Sequence, residues 1–268
     1  NSLPFLSSLQ PSIAKQTMSS SSQFEQINVV VVTSKDGIPV KPREGELLVA
    51  YWDIRGLGQP CRISLAYAGV PFTDLRIAPG EHPSGDYKQT WMTKKPELKE
   101  SLYFPNLPFL FDGREGKKVA LVQSRAILRY IGRECDLLGD NIDKFDMMLD
   151  EVSDLDAVIT RTCYGNVAGA ADVITGQVKD KLDDIATYLQ TTPFLAGRKV
   201  SVADFKLYDT LSKIVLCEKE ITKTKVVGSN AVVVDYMDRI ASLPAISSYL
   251  SSDKFLDRPL NNTHAQFK

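Results

Sequence analysis

Leu47-Leu48-Val49-Ala50-Tyr51-Trp52-Asp53-Ile54-Arg55-Gly56-Leu57-Gly58-Gln59-Pro60 is the stretch on which the fold turns. The apolar run Leu47 to Ala50 suits a short buried strand, and Gly56 and Gly58 mark a tight turn behind it. Pro60 fits a first helical turn, and Ile63, Leu65, Ala66 and Tyr67 carry a helix to a stop at Gly69. The order sets the Tyr51 phenol at a strand end beside a helix N-terminus, where unpaired N–H groups and the helix dipole favour an anion. A tyrosine hydroxyl has an ordinary pKa of about 10, so at neutral pH it can donate a hydrogen bond to a thiolate. The same side chain could instead close the strand end as a packed aromatic.

Outward from this stretch, Val70 to Ile77 reads as a second strand. Leu107 to Phe111 and Val119 to Val122, joined by Asp112-Gly113-Arg114-Glu115-Gly116, read as a hairpin. Ser124 to Glu134 has helical spacing. This βαβ-then-ββα order is the one a thioredoxin-like α/β domain requires, and it occupies residues 46–136. Residues 141–260 read as an all-helical domain, with periodic stretches over 143–168, 175–189, 202–218 and 230–242 and a further helix from Pro244. Ser201-Val202-Ala203-Asp204 is a capping box, flanked by Val200 and Phe205 as a hydrophobic staple.

The ends are less structured by this reading. Residues 1–45 read as a flexible extension, because the first 24 hold eight serines and Lys15 as their one charged side chain. Met18 could be a translation start, Val29 to Val32 could add a strand, and Lys35 to Glu46 reads as a linker. The extension to about Lys41 is expected to be dispensable. Residues 261–268 read as a tail, and the Asn261-Asn262-Thr263 sequon as a coincidence.

The 268 residues are 43% hydrophobic and 24% charged with a formal net charge of -1, so nothing points to nucleic acid or an anionic membrane. No apolar run approaches the roughly 20 residues of a membrane span, and a soluble, cytoplasmic protein is expected. Cys61, Cys135, Cys163 and Cys217 are far apart, and His82 and His264 are the histidines. Zinc ligands are therefore scarce, no metal is expected, and the cysteines read as reduced and packed.

Four motifs occur in one order: Tyr51-Trp52-Asp53-Ile54-Arg55-Gly56-Leu57, Phe104-Pro105-Asn106-Leu107-Pro108-Phe109, Gln123-Ser124, and the Ser201 capping box. Together with Phe255-Leu256-Asp257-Arg258-Pro259 they resemble cytosolic glutathione transferases, most closely the mu class, over roughly Glu46 to Leu260. The resemblance implies a thioredoxin-like domain joined to a helical one, with Tyr51 stabilising the thiolate of glutathione for attack on a small hydrophobic electrophile. Glutathione would be a co-substrate and no cofactor would be needed.

The resemblance assigns Trp52, Lys88, Trp91 and Lys95 to the glycyl end of glutathione. It assigns Asn106 and Leu107 to the cysteinyl unit, through a cis proline at Pro108 that leaves the Leu107 main chain free. Gln123 and Ser124 would hold the γ-glutamyl carboxylate, with Ser124 able to cap its helix. Asp156 would reach the γ-glutamyl amine of a partner subunit in a homodimer, and Phe104 would insert into that partner. Lys88 stands where an arginine is common, which keeps the charge without the planar fork. Leu57 would line the electrophile pocket, and Tyr164 stays outside the catalytic set because it lies two residues too near Asp156. Glutathione-dependent isomerisation, and a non-catalytic protein that keeps the fold, remain alternatives.

Overall fold

The computed structural model describes residues 24–79 and 86–268; Lys15, Met18 and His82 lie outside them. Strand β1 (Ile27–Val32) precedes β2 (Leu47–Trp52), helix α1 (Gln59–Ala68), β3 (Phe72–Ile77) and α2 (Gln89–Lys94). The hairpin β4 (Phe109–Asp112) and β5 (Val119–Val122) then leads into α3 (Ser124–Glu134). The five-stranded sheet has the order β1-β3-β2-β4-β5, with β1, β3 and β2 parallel and the last two pairings antiparallel.

Period-two alternation divides β2 between two cores. Leu47 and Val49 face a core shared with α1, α3 and the helical domain, whereas Leu48 and Ala50 face a smaller one with Trp91, Phe109 and Phe111. Arg62, buried on α1, pins the turn after β2. Its guanidinium donates to the carbonyls of Ile54 at 2.8 Å and Trp52 at 3.3 Å, and pairs with Asp74 at 2.8 Å.

The second domain is helical. It comprises α4 (Ile142–Gly165), α5 (Ala170–Val173), α6 (Lys179–Leu189), α7 (Val202–Cys217), α8 (Ala231–Ala241) and α9 (Pro244–Leu250), with π-helical turns at Ile174–Val178 and Glu218–Thr222. Helix α7 packs on both α4 and α1 and so joins the domains. Its capping box forms as the sequence implies: Asp204 accepts from the Ser201 N–H at 2.8 Å and the Ser201 hydroxyl at 2.7 Å.

Both ends differ from the expectation. Residues 24–45 are not a flexible extension: Ile27–Val32 pairs along the whole of β3, which becomes an interior strand. Thr33 accepts a hydrogen bond from Thr90 at 3.1 Å, Lys35 pairs with Glu97 at 3.3 Å, and Ile38 is 1% exposed in the core that holds Trp91. The valines provide β propensity, but the open edge of β3 that receives them exists only once the sheet has formed.

The tail also docks. Asn261, Asn262 and Ala265 are buried, and the Phe267 N–H donates to the Cys163 carbonyl at 3.0 Å. Asn261, the sequon's acceptor residue, donates to the Phe267 carbonyl at 3.0 Å and is closed to modification in the fold.

The N-terminal segment is therefore expected to stabilise the fold. Ile38→Ala should cost about 2–4 kcal/mol by removing packed methylenes beside Trp91. Urea melts of the variant measure this, and an unchanged midpoint would return the segment to the status of a dispensable arm.

Candidate active site

The turn after β2 wraps the Tyr51 ring so closely that Gly56 and Gly58 leave no room for a side chain. A Cβ on Gly56, whose φ is +39, would lie 2.7 Å from the Tyr51 hydroxyl; one on Gly58 would lie 2.8 Å from the Tyr51 Cβ. Burial pushes the Tyr51 phenol up to about 12, against a hydrogen bond from the Leu57 N–H that lowers it. The phenol is thus a neutral donor at physiological pH, its oxygen held from behind by the Leu57 amide.

Tyr51 opens onto a cavity of about 380 Å³ with Gly56, Leu57, Ser124, Arg125 and Asn261 on its walls, together with the α4 residues Ser153, Asp154, Asp156, Ala157, Thr160, Arg161 and Tyr164 and Lys206 of α7. The α4 residues recur at three- and four-residue spacing, which puts them on one helix face. At the other wall Gln123, not Ser124, is the N-cap of α3, with φ 75 and ψ 113. Ser124 is the first helical residue, and its hydroxyl makes no hydrogen bond among the described residues. The first amides of an α-helix have no partner within it, and Ser124 at the head of α3 lines the cavity. Backbone strain at Gln123 re-aims the chain into this arrangement, a recurrent feature of ligand sites.

Beneath the cavity lies a buried ionic network. Asp156 is 1% exposed and binds Lys206 Nζ at 2.5 Å and Lys213 Nζ at 3.0 Å. Lys213 also reaches Asp209 at 2.8 Å and the Gly56 carbonyl at 3.0 Å. Asp209 pairs with Arg55 at 2.7 Å, and the Arg55 and Gly56 amides donate to Pro259 and Leu260 at 2.8 and 3.0 Å. Burial alone would raise the Asp156 carboxyl; the two lysines overcome it and hold the group well below the usual carboxylate range. The tyrosine turn is thereby fastened to α7, α4 and the tail at once.

Two family models match the chain: one described as glutathione S-transferase, N-terminal domain, over residues 48–133, and one described as glutathione S-transferase, C-terminal domain, over residues 153–253. A Cavia porcellus relative named glutathione S-transferase B is 33% identical over 219 residues, which cover 80% of this chain and 95% of that protein. The chain belongs to the glutathione S-transferase family. A Mus musculus relative named glutathione S-transferase Mu 5 is 32% identical over 82% of this chain and 95% of its own length, in keeping with a mu-like sequence. The pi-class glutathione S-transferase of Onchocerca volvulus has the same fold, with a TM-score of 0.68 at 25% identity, over 82% of this chain and all of that one.

In this glutathione S-transferase the cavity gathers Tyr51, Leu57, Ser124 and Asp156 from the expected set. Trp52, Trp91 and Leu107 pack in or against the smaller core, where Trp91 is buried and stacks on Phe109 with ring centroids 6.3 Å apart. Lys88 is exposed, with its ammonium over the Tyr87 ring at 5.4 Å, and Lys95 is half-buried at the end of α2. The Leu107–Pro108 peptide is cis, but the Leu107 N–H is not free: the exposed Asn106 side chain accepts from it at 3.0 Å. Gln123 is exposed at the head of α3.

Asp156 departs furthest from its expected role. Tied to two lysines of its own chain beneath the surface, it cannot serve a partner subunit. Asp150, Glu151 and Asp154 crowd the same stretch of sequence, and only the packing of α7 on α4 distinguishes the buried carboxylate among them. Lys206, Asp209 and Lys213 were missed for the same reason, although charges at three- and four-residue spacing along a largely buried helix were a usable signal. Tyr164, left out on spacing, lines the cavity, and its hydroxyl accepts from the Asn262 N–H at 3.0 Å.

Removing the central carboxylate leaves Lys206 buried without its counter-charge. Asp156→Ala should cost about 3–5 kcal/mol. Because the folded-state carboxyl is held below its usual range, its contribution is present above about pH 4 and is lost as pH falls through the lowered folded value. Stability measured by denaturant melts at a series of pH values should fall on the acid side in the wild type and more shallowly in Asp156→Asn. Equal acid slopes would assign the linkage to other groups.

Proposed function

We propose that this protein conjugates the thiol of glutathione to electrophilic carbon, with Tyr51 as the catalytic hydrogen-bond donor. The observation that carries the reading is the neutral Tyr51 phenol, backed by the Leu57 amide and open to a cavity whose far wall is the head of α3. A carboxylate of the γ-glutamyl unit suits the free amides of α3 and the Ser124 hydroxyl. With that end anchored, the thiol lies towards Tyr51 and loses its proton to solvent. The phenol donates to the resulting thiolate, which lowers the thiol pKa and keeps the sulfur nucleophilic near neutral pH. The sulfur then forms a bond to the electrophile, and either a leaving group departs or the adjacent carbanion takes a proton from water. No cofactor is needed for these steps.

Trp52, Lys88, Trp91, Lys95, Asn106, Leu107 and Gln123 complete the glutathione site in this reading. Binding at Leu107 requires the Asn106 side chain to release its N–H, a change of one exposed rotamer. The carboxylate offered to a partner's γ-glutamyl amine passes from Asp156 to Asp154. Asp154 is exposed, whereas Asp156 is buried against its lysines. A homodimer is supported by Tyr103 and Phe104, which stand 94% and 78% exposed beside Pro105. Exposed neighbouring aromatics of this kind suit the centre of an interface. No helix among the described residues is long and apolar enough to cross a membrane, and the four cysteines are unpaired, which suits a cytoplasmic location.

Tyr51→Phe should leave glutathione affinity nearly unchanged, raise the pKa of the bound thiol, and slow conjugation about a hundredfold, the cost of one preorganised donor. Thiolate absorbance of the enzyme–glutathione complex against pH reads the first effects, and product formation reads the last. A variant with wild-type ionisation and rate removes Tyr51 from the mechanism. Glutathione returned unconsumed with a rearranged product would instead indicate isomerisation. Ser124→Ala should chiefly weaken glutathione binding, by about tenfold for a lost bond to a carboxylate. Sedimentation at micromolar concentration should find a wild-type dimer that Phe104→Ala weakens; a monomeric wild type sinks the shared site.

A further inference from the structure

The cavity wall beyond Leu57, where the electrophile would lie in the proposed reading, carries polar side chains. Along the α4 face, Ala157 is followed by Thr160, Arg161 and Tyr164, and the docked tail adds Asn261. The cations on these walls are unequal. Lys206 is bound to Asp156 at 2.5 Å, and Arg125 reaches Asp150 at 3.3 Å. Arg161 has neither an ion pair nor a hydrogen bond among the described residues. Arg161 is an exposed residue of the cavity wall, and the N–H groups of its planar guanidinium, whose geometry matches a carboxylate, are uncommitted among the described residues.

The neighbours of Arg161 have the same polarity. The Tyr164 oxygen already accepts from the Asn262 amide, which leaves its hydrogen to donate; burial raises the phenol above its usual value and keeps that hydrogen in place. The Thr160 hydroxyl is also uncommitted among the described residues. The unpaired acid on the same face is Asp154, seven residues earlier, or about 10 Å along the helix axis. Donors not engaged by glutathione in the proposed reading therefore cluster near the tail. With the head of α3 taken by the γ-glutamyl carboxylate of glutathione, a second anionic group is received at the tail end, which fixes the direction of the electrophile.

Resting on the proposed conjugation at Tyr51, we infer that the second substrate is an electrophile bearing a carboxylate held by Arg161. An α,β-unsaturated carbonyl compound with a carboxylate at its far end has the required chemistry. Its β-carbon receives the sulfur, the electron pair of the alkene moves to the carbonyl, and the α-carbon takes a proton from water. The carboxylate takes no part in bond making; it orients the alkene.

The test uses such an acid and its methyl ester as a pair, each rate divided by the uncatalysed rate with glutathione to remove intrinsic reactivity. The full-length enzyme should prefer the acid in kcat/KM, through a lower KM. Arg161→Gln should cut the acid-to-ester ratio about tenfold, the cost of a charge-assisted bond at a partly solvated site. Arg161→Lys should restore part of it, and added salt should erode the wild-type preference. A wild type that favours the ester, or a ratio that Arg161→Gln leaves unchanged, overturns the assignment. Thiolate absorbance of the glutathione complex, measured in the same samples, separates the two readings. A normal thiolate with no acid preference removes only the Arg161 assignment, whereas absence of the thiolate removes the Tyr51 reading on which it rests.

Discussion

The contact on which the site depends is the buried set of charges between the tyrosine turn and α7. Arg55 and Lys213 of opposite domains meet on Asp209, and Lys213 continues to Asp156 and to the Gly56 carbonyl. Ions removed from water are costly unless each finds opposite charge at good geometry. The arrangement therefore has few acceptable alternatives, and it fixes the turn relative to α4. The turn carries Tyr51 and Leu57, α4 carries the other wall, and the cavity between them inherits the register of the network.

The same network sets the electrostatic conditions for chemistry. Asp156 and Asp209 offset much of the positive charge of Arg55, Lys206 and Lys213, so the phenol faces no large unbalanced field. Desolvation dominates at Tyr51 and keeps its proton on. A phenol that ionised readily would repel a thiolate, whereas a neutral one donates to it. Positive character is supplied at the edges of the cavity, by the head of α3 and by Arg161.

Added segments at both chain ends stiffen this centre from outside. Strand β1 and Ile38 close the core that contains Trp91, which links the N-terminal residues to α2 and to Lys95 at its end. The tail brings Asn261 to the cavity and seats Asn262 on Tyr164. Each end covers a surface that the rest of the fold would leave open: a sheet edge in one case, the face of α4 in the other.

The sequence by itself determined the elements whose signals are local. Helix α3 was legible residue for residue from Ser124 to Glu134, and the capping box at Ser201 came from spacing alone, because such devices act within one helical turn. The glycine turn around Tyr51 was equally plain, since only glycines allow the backbone to approach a ring so closely. Tertiary structure decided which charges are buried. Asp154 and Asp156 are alike in sequence, and burial under Lys206 and Lys213 separates them. It also decided that Ile27–Val32 is an interior sheet's new edge and that residues after Leu260 form a wall, because both depend on surfaces distant in the chain. Polar character at the electrophile end was hidden likewise: Arg161 reads as one more solvated residue until the face of α4 is known to turn towards Tyr51.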